Sequence, residues 1–168
     1  MADVPYDSGV VFVRNKEALF AAMSANAAYL PAGNVREPYQ YVPEMSRQAR
    51  AIPMWAALKS LGKKGLAEMI DNNCKQAHMF AEALTAAGFT VLNEVVLNQV
   101  MVSFGDASLT LAVIKQVQEE GVCWCGSTVW QGNTAMRISV SCWCTTDEDV
   151  KKSITSILQC AKRVLKDN

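Results

Sequence analysis

The chain has 168 residues, 51% of them hydrophobic and 19% charged. That is one domain, or one domain and a piece of another, able to bury roughly 70% of its unfolded surface, so disorder is excluded as the main state. Sixteen basic residues balance sixteen acidic ones, so no net basic field draws in nucleic acid or an anionic membrane, and neither is expected as a partner. No apolar run approaches the roughly 18 residues of a membrane span. The first residues lack the basic and apolar regions of a signal peptide, and a cytoplasmic location is expected. The six cysteines, at 74, 123, 125, 142, 144 and 160, are unevenly spaced and read as reduced thiols rather than disulfide staples.

In chain order, turn chemistry at Pro5 to Gly9 precedes Val10-Val11-Phe12-Val13, which reads as a strand buried on both faces. Such a strand belongs to a larger sheet, yet no second run of this kind lies nearby. Asn15 caps a helix through Leu19, Phe20 and Met23. Tyr29 to Glu44 is a long loop holding Pro31, Gly33, Pro38 and Pro43 among Tyr29, Tyr39 and Tyr41, and loops of that length are usually functional or mobile.

Pro53 sits in the first turn of a helix through Leu61, and Gly62 and Gly65 mark a joint. Helical spacing then continues from Leu66 to Leu84, with Gly88 as the stop. His78, the single histidine, reads as structural.

The second half changes period. Phe89 to Val96 and Val100 to Phe104 read as two strands, and Ser108 opens a helix that ends at Gly121. Val122 to Trp130 and Ala135 to Trp143 read as a further pair around Gly132-Asn133. In the last strand Met136, Ile138, Val140 and Cys142 share one face. Thr145 and Glu148 form a capping box for a final helix with Val150, Ile154, Ile157, Leu158, Ala161 and Leu165 inward. The order is β-β-α-β-β-α behind a helical layer. The fold class is α/β, a two-layer domain whose mostly antiparallel sheet carries helices on one side.

Few chemical motifs are present. There is no zinc signature, phosphate-binding loop or dinucleotide fingerprint, and one histidine leaves little for acid–base work near neutral pH. Cys123-Trp124-Cys125 and Cys142-Trp143-Cys144 stand out, because residues i and i+2 of a strand face the same way. If the two strands pair, four thiols approach one another. Cys-x-Cys on a strand nonetheless splays its sulfurs, and cysteine is a common small buried residue. Structural thiols are expected, and no metal.

Several separated motifs resemble the group II pyridoxal-phosphate-dependent decarboxylases, which act on aromatic amino acids, histidine, glutamate or diaminobutyrate. Pro5-Tyr6-Asp7-Ser8-Gly9-Val10-Val11-Phe12-Val13-Arg14 is similar to the segment just after the cofactor lysine. Ser46-Arg47-Gln48-Ala49-Arg50-Ala51-Ile52-Pro53-Met54-Trp55, with Leu58, Gly62 and Gly65-Leu66, is similar to the arginine-rich entry to the C-terminal region. Gly121 to Gly126 and Thr134 to Ser139 resemble strands of the small domain.

The resemblance implies the C-terminal domain of a fold-type I enzyme. Residues 1–45 would be a remnant of the large cofactor-binding domain with its catalytic loop. Residues 46–168 would be a helical linker and the small α/β domain. It implies pyridoxal phosphate and an amino acid substrate for the parent enzyme, a carboxy-lyase and homodimer. In the family a His-Lys pair precedes the Asp-Ser turn by a few residues. Counting back from Asp7, that lysine falls just before Met1, so this chain alone is expected to bind no cofactor and to be inactive.

The resemblance also carries roles for three residues. Tyr29 aligns with the loop tyrosine that protonates the substrate carbon after carbon dioxide leaves. Ser46 aligns with a position near substrate and cofactor phosphate, and Arg50 with an arginine of the same segment near substrate, for which a structural ion pair is the competing reading. Two alternatives from other classes are a non-catalytic α/β interaction module and a thiolate metal-binding domain.

Overall fold

The computed structural model describes residues 4, 7–25, 29–30, 36–44, 46 and 48–166. Pro5, Tyr6, Pro31, Gly33 and Arg47, which carry part of the turn, loop and motif readings above, lie outside the described residues. The chain divides into two compact units, one of residues 4–57 and one that begins at Leu58.

In the first unit, α1 spans Lys16–Met23, and the Asn15 side chain accepts the Ala18 N–H at 3.0 Å. A 3-10 turn covers Pro38–Tyr41 inside the long loop. Phe20 and Tyr41 meet edge to face with ring centroids 5.9 Å apart, and the Arg36 guanidinium lies over the Tyr41 ring at 4.6 Å. These contacts tie the loop to the helix through the ring quadrupole as well as through area.

Val10 to Val13 forms no strand and is exposed, with Phe12 95% accessible. The buried strand read from the sequence is thus corrected. An apolar β-prone run is buried only when neighbouring strands cover it, and the described residues of this unit supply none.

Helix α2 is Ala51–Ala86, interrupted at Gly62, whose φ of 62° and ψ of −175° belong to glycine rather than to a helix. The joint therefore falls at Gly62, while Gly65 continues the helix. At its end the Phe89 N–H reaches the Leu84 carbonyl at 3.0 Å around Gly88, the i+5 closure of a glycine-terminated helix.

The sheet has four antiparallel strands in the order β1-β2-β4-β3. They are β1 (Thr90–Val91), β2 (Gln99–Ser103), β3 (Gly126–Trp130) and β4 (Asn133–Ser139). The first is far shorter than Phe89 to Val96 suggested. Asn93 is the cause: its amide oxygen accepts the Met101 N–H at 2.7 Å and its nitrogen donates to the Gln99 carbonyl at 3.1 Å. A side chain thus satisfies β2 backbone groups that a longer β1 would have paired. The β3–β4 hairpin turns on Gln131 and Gly132, both at positive φ, the geometry of a two-residue primed turn.

Helix α3 (Ala107–Glu120) is capped by Asp106, two residues before the Ser108 start read from sequence, with the Asp106 carboxylate accepting the Leu109 N–H at 2.8 Å. It stops at Gly121 in the left-handed conformation. Helix α4 (Asp147–Lys166) is capped by Thr146 and Asp149 rather than Thr145 and Glu148. The Asp149 N–H donates to Thr146 Oγ1 at 3.2 Å and the Thr146 N–H donates to the Asp149 carboxylate at 2.9 Å. Both donors of a reciprocal cap are satisfied in this way.

Val100 and Val102 of β2 and Met136 and Ile138 of β4 share the core with Ala77, Phe80 and Leu84 of α2, Val113 and Val117 of α3, and Val150, Ile154 and Ile157 of α4. This is the α/β layering expected, with helices against one face of the sheet. Two inward assignments on α4 change. Cys160 is fully buried, whereas Leu165 is exposed.

The charges around α4 give a pH expectation. Hydrogen bonds from Lys75 and then Gln76 hold Asp147 below the usual carboxylate range, and those from Thr146 do the same for Asp149. A carboxylate whose pKa is lower folded than unfolded stabilises above the unfolded value near 4, and loses that contribution as pH falls through the folded one. Thr146→Ala removes this reciprocal cap and is expected to lower the urea midpoint at neutral pH. The gap to the unmodified chain should narrow below about pH 4. Urea midpoints at pH 7 and pH 3 measure both; an unchanged midpoint at pH 7 would show that the cap contributes nothing.

Candidate functional site

Tyr29 lies in a turn and is 79% exposed. Ser46 is exposed in a bend, and Arg50 is half-buried in the turn leading into α2. Arg50 forms an ion pair with Asp7, joining the Asp-Ser-Gly turn to the start of the arginine-bearing segment. Sequence spacing does not name this partner, although a structural ion pair is one of the two readings of Arg50. No hydrogen bond or ion pair among the described residues links Tyr29, Ser46 and Arg50 to one another. Tyr39 and Tyr41 are half-buried in the 3-10 turn.

These side chains do not by themselves make a cradle for pyridoxal phosphate. A phosphate group calls for converging N–H donors or cations, yet Arg50 is engaged by Asp7 and Arg36 by the Tyr41 ring. Ser8 Oγ, next to Asp7 in sequence, is buried without a hydrogen-bond partner.

The second unit holds a different cluster. Cys123-Trp124-Cys125 lies before β3 and Cys142-Trp143-Cys144 after β4, so neither triplet is in the ladder, and the strand bounds read from sequence are corrected by the register that ends at Gly126 and Arg137. Trp124 and Trp143 are exposed. Cys123, Cys125 and Cys142 nevertheless line one cavity of about 240 Å³. All six cysteines are thiols, and the Sγ atoms of Cys142 and Cys144 are 3.0 Å apart. Among the described residues no group of three or more His, Cys, Asp or Glu side chains is arranged to hold a metal ion. His78 is exposed on α2. No helix among the described residues is long and apolar enough to cross a membrane.

Comparison with known proteins defines the class. The model of the pyridoxal-dependent decarboxylase conserved domain matches residues 1–105, and the chain belongs to that family. It is 28% identical over 171 residues to histidine decarboxylase of Drosophila melanogaster, covering 98% of this chain and 20% of the relative.

Among solved structures, Oryza sativa TDC with PLP and tryptamine superposes with a TM-score of 0.81 at 16% identity, over 90% of this chain and 34% of that one. Catharanthus roseus tryptophan decarboxylase in complex with L-tryptophan gives 0.73 at 17% identity, again over 90% and 34%. The glutamate decarboxylase domain of a Vibrio parahaemolyticus diaminobutyrate enzyme gives 0.57 at 22%, over 68% and 26%. The fold is thus that of pyridoxal-phosphate decarboxylases of fold type I. The chain spans about a fifth of the curated relative's length and about a third of the first of these structures.

Proposed function

We propose that this chain is the C-terminal part of a pyridoxal-phosphate-dependent amino acid decarboxylase, a carbon–carbon lyase whose site is completed by residues outside it. In this reading residues 1–45 belong to the large domain and its catalytic loop, and residues 46–168 form the linker and small domain. The observation that carries it is the Val10 to Val13 run, apolar and exposed, in a chain whose relatives continue well beyond the matched part. A segment of that composition calls for sheet partners, which the described residues do not supply. The unpartnered Ser8 hydroxyl next to it points the same way.

Pyridoxal phosphate, when bound, supplies the electron sink for loss of an α-carboxylate. Toward that site this chain would bring the Tyr29 phenol as proton donor to the substrate carbon, the Ser46 hydroxyl near substrate and phosphate, and Arg50 near the substrate. The Arg50–Asp7 pair would then set where the arginine-bearing segment begins. The parent enzyme would be a homodimer working on an amino acid in the cytoplasm.

Alone, the chain is expected to form no cofactor site. The test is incubation with pyridoxal phosphate, borohydride reduction and peptide mapping. Sparse labelling spread over surface lysines is expected. Stoichiometric labelling of one lysine would show a complete site within these residues and refute the reading.

A further inference from the structure

The thiol-lined cavity is lined by none of the residues carried over by the decarboxylase reading and is not used by it. Its walls come from the second unit: the Cys123 to Cys125 segment, the end of β4 and the residues following it, the first turns of α4 with Asp149 and Ser153, and Phe80 of α2. Cys125 is buried and its backbone carbonyl accepts from Gln118 Nε2 at 2.8 Å, which fixes the segment against α3. Cys123, immediately before the exposed Trp124, is half-buried at the cavity wall. The cavity opens to solvent and holds about 240 Å³, the liquid volume of about eight waters, enough for one amino-acid-sized group.

We propose that this cavity is a thiol-modification site in which Cys123 exchanges with a small disulfide of the cystine or oxidised-glutathione class. The Cys123 thiolate attacks one sulfur of the disulfide along the S–S axis. A new bond forms between Cys123 and that sulfur as the original S–S bond breaks. The other half leaves as a thiolate and takes a proton from water. The Cys123 sulfur is oxidised, the departing half is reduced, and the disulfide itself is the oxidant.

The surroundings favour this sulfur over its neighbours. Hydrogen bonding from Cys125 lowers the Cys123 thiol to about 7 against an opposing effect of burial, with Ser153 adding to the lowering. The same contact, with burial, pushes Cys125 far upward. Cys125 therefore stays protonated and is a poor resolving thiol, so the mixed disulfide persists rather than closing to a Cys123–Cys125 bridge. The other charged or titratable groups facing the cavity are Cys142 after β4 and Asp149 on α4, the latter already holding Thr146.

The experiment treats the full chain with cystine, quenches with acid at intervals, and maps adducts by peptide mass, with N-acetylcysteine amide as the reference thiol. At pH 7 a thiol near 7 is about half ionised against about 3% for an ordinary one, a gain of about fifteenfold. The lower basicity weakens the nucleophile by about fivefold, leaving Cys123 about threefold faster than the reference. At pH 9, where both are ionised, the order reverses and Cys123 is about fourfold slower.

That crossover, with Cys123 modified first and Cys123→Ser forming no early adduct, is the expected result. Ser153→Ala should reduce the advantage at pH 7 while leaving the adduct at Cys123. First modification at Cys142 or Cys144, closure of those two sulfurs into a disulfide before Cys123 reacts, or a rate below the reference at pH 7 would overturn the assignment. Oxidised glutathione in place of cystine separates the two sources: equal rates mean that only the shared disulfide chemistry is read, and a slower tripeptide means that the cavity wall selects the smaller group. If oxidised glutathione instead reacts faster, the amino-acid-sized fit argued from the cavity is wrong and the proposal fails in that respect.

Discussion

Leu84→Ala is expected to lower the unfolding free energy of the unit that begins at Leu58 by about 3 kcal/mol, within the 2–5 kcal/mol typical of Leu→Ala in a core. Leu84 stands two residues before the end of α2 and has 0% exposure. It belongs to the cluster that also holds Val100, Met136, Val117 and Ile157, so elements from both sides of the layer lose contact when its side chain is cut back. The loss combines the transfer of the removed atoms with the cavity they leave, since the sheet and α3 are anchored elsewhere and close over the gap only in part. Domains of this size have only about 5–15 kcal/mol to lose. The control is Leu165→Ala on α4, a position the helical periodicity placed inward but which is 43% exposed; it should change stability by no more than about 0.5 kcal/mol. Urea unfolding with an unchanged slope reads both. Equal effects at the two positions would mean that the helical layer is not packed as described.

Tyr29→Phe should have the largest effect on activity, in a decarboxylase that contains this chain together with the residues that complete its site. Loss of carbon dioxide leaves a carbon that must take a proton from a donor on the correct face. A phenol holds its proton at neutral pH until such a basic centre forms. Phenylalanine keeps the ring and removes the proton. General acid catalysis contributes about 10²–10⁴-fold, so amine production should fall by that order while substrate binding changes little. Tyr29 is exposed in the structure of this chain, leaving the phenol accessible to a site formed with other residues. Amine formation within about twofold of the unmodified enzyme would remove Tyr29 from that role, because a ring that only packs is replaced by phenylalanine at little cost.

Much of the fold could be read from periodicity and punctuation. The alternation at Met136 and Ile138, continued by Val140 just after β4, places one face inward, and all three are buried. Gly88 and Gly121 terminate helices through left-handed backbone, as their positions after apolar-periodic runs suggested. Gly62 breaks α2 because its φ and ψ are open only to glycine.

What failed to be legible failed for local or non-local reasons that pattern does not carry. Two adjacent threonines with two adjacent acidic partners offer two capping boxes, and only the geometry selects Thr146 and Asp149. Asn93 shortens β1 with its side chain, an option open to any asparagine beside a strand. Val10 to Val13 has the composition of a buried strand, but burial depends on neighbours that composition does not report. At the candidate site, the likeness of the Asp7 and Arg50 segments to one family was legible, whereas the ion pair that joins them is a long-range contact. The two Cys-x-Cys triplets were singled out, but their meeting at a cavity wall depends on both hairpin ends turning out of the ladder.

The central claim, that the site is completed by residues outside this chain, is tested most directly by reading the nucleotide sequence across the codon for Met1 in the source genome. The account predicts an open reading frame continuing upstream, with codons for a His-Lys pair within a few residues of Met1 and a large-domain sequence before it. A stop codon in frame immediately upstream, with no such pair in any continuing frame, would contradict it.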